Sequence, residues 1–166
     1  MEGLSLIPAG VADTDVLFRL MQLYYFESSS WSGEEIGGDG LYDGDRADVA
    51  AALLERPHWA RLLWLDGVLC GFVLVDDIQF QGQPLPELAD LFVLPKHRGK
   101  GIAKAVVTTL VAPGSGQWLL AIFRKDRKAW AFWTRNLPRM GMDVETPVND
   151  EDEDFDLFLI RARACE

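Results

Sequence analysis

The sequence predicts a mixed α/β (α+β) fold with one central, mostly antiparallel sheet of six to seven strands and helices on both faces. Three observations carry this. Residues 59–65 and 68–75 are rich in Leu, Val, Trp and Phe and are joined by Asp66-Gly67, the two-residue turn that closes antiparallel hairpins. An apolar run at 88–94 breaks at Pro95 and passes through Gly99 and Gly101 into a helical pattern of Ile102, Ala103, Val106, Val107 and Leu110, and a second apolar run follows at 118–123. That is a strand-helix-strand crossover. With 166 residues, 49% of them hydrophobic, the chain is long enough for one core and short for two, so one domain over 1–166 is expected.

Taken in order, Asp13 or Thr14 caps a first helix with apolar positions Val16, Leu17, Leu20, Leu23 and Tyr24, ending near Ser28. Residues 28–45 are rich in Ser, Gly and acids, a long loop of the kind that often carries function. A second helix runs over 45–55 and stops before Pro57. After the hairpin, 78–83 extends or ends the strand, and Pro84 and Pro86 punctuate entry into the strand at 88–94. Pro113-Gly114 ends the crossover helix. A helix from Asp126 stops before Pro138, and 155–162 alternates as a closing strand.

The net charge of −10 argues against nucleic acid as a partner. Acids gather at 34–48 and 143–156, while bases gather at 96–104 and 124–128, so a phosphorylated ligand suits one side and a cationic amine the other. Apolar runs fall far below the ~20 residues that span a bilayer, and the first residues lack a secretory pattern. A cytoplasmic location without membrane contact is expected, as monomer or homodimer. Cys70 and Cys165 form no disulfide framework, and Cys70 reads as core packing.

The bend at 95–104 reads as an anion site. Glycine lets the backbone approach a ligand, and the unpaired N–H groups of a first helical turn carry roughly half a positive charge. Lys96, Arg98, Lys100 and Lys104 add full charges. A phosphate or pyrophosphate is the expected guest. The P-loop pattern fails, because Ala105 follows Lys104 where Ser or Thr is required. A dinucleotide fingerprint puts Lys104 at its third small position.

Arg98-x-x-Gly101-x-Ala103, after a strand ending in Val93 and a Pro two residues on, resembles the acetyl-coenzyme A signature of the GNAT superfamily of N-acetyltransferases. The likeness continues through the strand 118–123 into Asp126-Arg127-Lys128-Ala129-Trp130-Ala131-Phe132-Trp133, where Ala129 and Phe132 match the family pattern and Asp126 and Trp133 depart from it. The resemblance implies that strands 88–94 and 118–123, the fourth and fifth, splay apart and that the backbone of Phe92 and Val93 pairs with the pantetheine arm. It also implies that Val93 N–H polarises the thioester carbonyl and that the diphosphate rests on Arg98, Gly99, Lys100, Gly101, Ile102, Ala103 and Lys104. Asp126 and Trp133 stand at coenzyme-contacting positions. No metal is implied.

The resemblance further implies direct acetyl transfer to a primary amine of a small molecule or peptide. Glu87 and Asp90 are the acids of the fourth strand; an odd step separates them, so only one faces the acceptor. Asp90 is the preferred base, because an acid among Leu, Ala, Phe and Val is costly to bury without a purpose or partner. The alternative is that it binds a neighbouring N–H or Arg. The family often uses a Tyr acid where Trp133 stands, and an indole N–H has no useful acidity. Tyr24, Tyr25 and Tyr42 are replacements, Tyr24 being core by its spacing, and solvent is another. Trp31 with Glu34 and Glu35 forms a composition-based amine cap. Two rivals are a non-catalytic acetyl-coenzyme A sensor, favoured by Trp133, and a nicotinamide-dependent enzyme.

Overall fold

The computed structural model describes residues 1–148 and 153–163. Cys165 and part of the acidic run that begins at Asp150 lie outside the described residues. The elements are β1 (Leu4–Pro8), α1 (Thr14–Ser32), α2 (Arg46–Glu55), β2 (Ala60–Leu65), β3 (Val68–Phe80), β4 (Gln83–Val93), α3 (Ile102–Leu110), β5 (Trp118–Phe123), α4 (Arg127–Asn136), β6 (Met142–Glu145) and β7 (Phe155–Ala162). Hydrogen bonding orders the strands β1-β2-β3-β4-β5-β7-β6 in one seven-stranded sheet. β1–β2, β2–β3, β5–β7 and β6–β7 pair antiparallel, and β4–β5 pairs parallel.

Two compact units share this chain. The first comprises residues 1–74 and 90–97. Asp66 and Gly67 have φ of 52° and 75° and close the β2–β3 hairpin, a tight turn for which Asp-Gly is the favoured pair. The register slips between Leu63 opposite Gly71 and Trp64 opposite Leu69, which leaves Cys70 as the extra residue of a bulge on β3. Leu17, Leu63, Phe72 and Val73 are fully buried there. α2 begins as read, with the Asp45 carboxylate accepting from Ala47 N at 2.8 Å.

The second unit comprises residues 75–89 and 98–166. Its turn at Gln81-Gly82 (φ 49° and 78°) joins the far ends of β3 and β4. Glu87 stands opposite Leu119 in the parallel pairing. Ile102, Val106 and Val107 form the buried stripe of α3 at helical spacing. Leu88, Leu137, Met142 and Ile160 are buried with them.

Several expectations need correction. α1 continues to Ser32, because Ser28, Ser29 and Ser30 each return their hydroxyl to the carbonyl three residues earlier (3.1, 2.8 and 3.1 Å) and so stay inside the helix. β3 runs on to Phe80, and β4 starts at Gln83, so Pro84 and Pro86 lie within the strand. Two residues apart, they place their missing N–H groups along the same edge. β1 and β6 complete the expected six to seven strands at positions the sequence did not mark.

Candidate functional site

The glycine bend lies in the second unit. Gly99 and Gly101 have φ of 76° and 84°, which glycine alone adopts without strain. A Cβ on Gly99 would meet nothing within 4 Å, so this side of the bend is open. Gly101 is the N-cap of α3 and brings no side chain to satisfy the first turn. The helical ladder opens with Ala105 N donating to Gly101 O at 3.0 Å, and the amides before it point out of the helix end. Arg98, Lys100 and Lys104 are exposed, while Ile102 is buried and anchors the turn. Exposed cations, open glycine backbone and uncapped amides together suit a diphosphate.

Asp126 is the N-cap of α4 and accepts from Ala129 N at 2.9 Å, which gives it a structural task. Trp133 is buried, its ring edge-on to Phe132 at 4.8 Å. Trp130 donates its indole N–H to Asp156 at 2.9 Å, and Arg124 Nε donates to the same carboxylate at 2.8 Å.

In the first unit, Asp90 is half-buried and Phe92 and Val93 are buried on β4. The Tyr24 ring packs against Phe72 (6.1 Å) and Phe92 (5.8 Å), as its spacing predicts. Tyr25 is half-buried, and its phenol is pushed up to about 12, first by burial and then by the charges of Asp90, Glu34 and Asp43. The loop carrying Asp43 is held on α1: Gln22 accepts from Tyr42 N at 2.8 Å and donates to Tyr42 O at 3.4 Å, and the Tyr42 hydroxyl lies 3.4 Å from Ser29 Oγ. Carboxylates from three stretches of chain thus act on one phenol, which keeps its proton at neutral pH. Such a surround favours a cation.

The profile of the acetyltransferase (GNAT) family matches residues 19–137. The chain belongs to the GNAT family. No curated protein sequence matches it. A GNAT fold is also what solved structures share with it. An acetyltransferase from Thermus thermophilus has TM-score 0.65 at 20% identity, with 94% of this chain and 95% of that one covered. Diaminobutyrate acetyltransferase EctA from Paenibacillus lautus, in complex with L-2,4-diaminobutyric acid and coenzyme A, has TM-score 0.64 at 14% identity, with 95% and 94% covered. Arabidopsis thaliana Naa50, in complex with the bisubstrate analogue CoA-Ac-MVNAL, has TM-score 0.55 at 14% identity, with 97% and 99% covered.

Within this GNAT chain, the first unit brings Asp90 and Tyr25 together, while Glu87 is half-buried in the second unit. Trp31, read as a loop residue, belongs to the last turn of α1. Gly71 was overlooked. A Cβ there would fall 2.0 Å from the Phe92 carbonyl oxygen, so glycine is what lets β4 lie against β3 at this point. An isolated glycine inside the apolar run 68–75 was the available signal. Among the described residues no helix is long and apolar enough to cross a membrane.

Proposed function

We propose that this GNAT chain is an acetyl-coenzyme A-dependent N-acetyltransferase that passes the acetyl group to a primary amine of a small molecule or peptide by direct attack. The observation that carries the reading is the uncapped start of α3 behind two left-handed glycines, with Arg98, Lys100 and Lys104 exposed around it. Acetyl-coenzyme A supplies the activated acyl group, and the amides and cations of residues 98–104 hold its diphosphate. Val93 on β4 offers its backbone to the pantetheine arm, its N–H donating to the acyl oxygen as negative charge develops, while the carbonyl of Phe92, expected to share that role, is turned to Gly71 of β3.

Asp90 accepts the proton the amine must lose, directly or through one water. Glu87, an odd step away on β4, is the alternative base and not a partner in the same relay. Tyr25 holds its proton too tightly to surrender it readily, since its phenol is pushed up to about 12. Its role is therefore to donate a hydrogen bond, with solvent completing protonation of the leaving thiolate. Carboxylates around Tyr25 favour an acceptor that arrives positively charged.

Calorimetry with acetyl-coenzyme A and a thiol-release assay over polyamines, amino acids and peptides test this. Binding plus release with at least one amine is the expected result. No binding removes the proposal. Binding without turnover favours a non-catalytic acetyl-coenzyme A sensor, a second reading supported by the buried Trp133 at the position of the usual Tyr acid.

A further inference from the structure

The outer face of α1 carries a groove that the acetyl-transfer reading does not use. It has a volume of about 670 Å³ and lies wholly within the first unit, between α1 and the stretch from Leu41 to Arg46. At about 100° per residue, the line Asp15, Arg19, Leu23 lies on the side of α1 away from Tyr24, which faces Phe72 and Phe92. Two ties join its walls. Arg46 Nε bonds the Asp15 carboxylate, and Gln22 clamps the main chain of Tyr42.

Charge in the groove is unbalanced. Asp15 is held below the usual carboxylate range chiefly by its hydrogen bond to Arg46, so that acid is already committed. Arg19 lines the same groove, acts on Asp15 only at a distance, and makes no hydrogen bond or ion pair among the described residues. Of the charged side chains that line the groove, this leaves the Arg19 guanidinium without a bonded partner among the described residues, beside Phe18, Leu23 and Leu41, the last two of them exposed. A volume of this size matches small-ligand sites, which combine apolar walls with a few fixed polar groups. A planar fork of donors is the natural seat for a carboxylate.

We infer that the groove between α1 and the Leu41–Arg46 stretch binds a small monocarboxylate with a branched or aromatic apolar body, its carboxylate on Arg19 and its body against Phe18, Leu23 and Leu41. The ligand carries no free ammonium, because Asp15 is occupied by Arg46 and offers it no partner.

The test is amide chemical-shift titration of the full chain with N-acetyl-leucine and phenylacetate, with N-acetyl-leucine amide as the uncharged control. Saturable shifts confined to α1 and residues 41–46, absent with the amide and weakened about tenfold or more in Arg19→Gln, are the expected result. Arg19→Lys should recover part of the affinity, and acetyl-coenzyme A binding measured alongside should be unchanged in both variants. Equal titration of Arg19→Gln and wild type, equal shifts from the amide, or shifts that track protein concentration because a second copy fills the groove would each overturn the inference.

Discussion

The carbonyl oxygen of Phe92 lies so close to the α-carbon of Gly71 that a Cβ placed there would come within 2.0 Å of it. The adjacent bond from Leu94 N to Cys70 O, at 2.8 Å, fixes the same stretch of β4 to the bulge of β3. The strand that carries Asp90 and Val93 is therefore positioned by the absence of one methyl group. Gly71→Ala should destabilise the protein by about 2–4 kcal/mol, since backbone rather than a flexible side chain must yield. Thermal and urea unfolding read this directly; an unchanged midpoint would show that the strands relax at no cost.

Asp90→Asn keeps the shape of the side chain and removes its basicity. The turnover number at neutral pH should fall by roughly 10²- to 10⁴-fold with little change in acetyl-coenzyme A affinity. Turnover equal to wild type would exclude Asp90 as the base.

Raising the pH should expose the unusual phenol of Tyr25. Its folded-state pKa of about 12 lies above the ordinary value of 10.0, so the folded protein binds the extra proton between these values. The corresponding stability is complete below the ordinary value and is lost as pH rises through about 12. Spectrophotometric titration of phenolate should show a late-ionising tyrosine in wild type that ionises earlier in Asp90→Asn and is missing in Tyr25→Phe. An unchanged titration curve in Tyr25→Phe would contradict the assignment.

Gly101→Val burdens a residue at φ 84° with a branched side chain beside the uncapped amides of α3. Acetyl-coenzyme A affinity should drop at least about tenfold, as strain and lost backbone approach combine. Calorimetry checks this, with circular dichroism to confirm that α3 persists.

Asp156 accepts from both Trp130 Nε1 and Arg124 Nε. Replacing it with Ala should cost about 1 kcal/mol or less, because both bonds lie in solvent, which screens them. Chemical unfolding gives the value, and the indole proton resonance of Trp130 should shift upfield once its acceptor is gone.

The outline of this fold was legible wherever a local signal coincided with a boundary. Asp66-Gly67 marked the hairpin, Asp45 marked the start of α2, and the span of β5 was read without error because its neighbours on both sides are turn residues. β1 and β6 could not be placed for a physical reason: with five and four residues they are too short to show alternation, and β1 depends on β2, a partner distant in sequence. Three consecutive serines read as a loop because propensity counts them against helix, whereas their hydroxyls find carbonyls inside it. The anion bend was legible from glycine spacing. The gathering of Asp90, Glu34 and Asp43 about Tyr25 was not, since it brings together β4, the end of α1 and a loop pinned by Gln22.

The threading of β3 and β4 through both compact units sets an order of assembly. Residues 1–74 cannot complete their unit until 90–97 have been made, and 75–89 belong to the other unit. A nascent chain leaving the ribosome must therefore hold its first half unfinished while the intervening hairpin emerges, and no single cut between the two units yields either as a continuous, self-sufficient fragment.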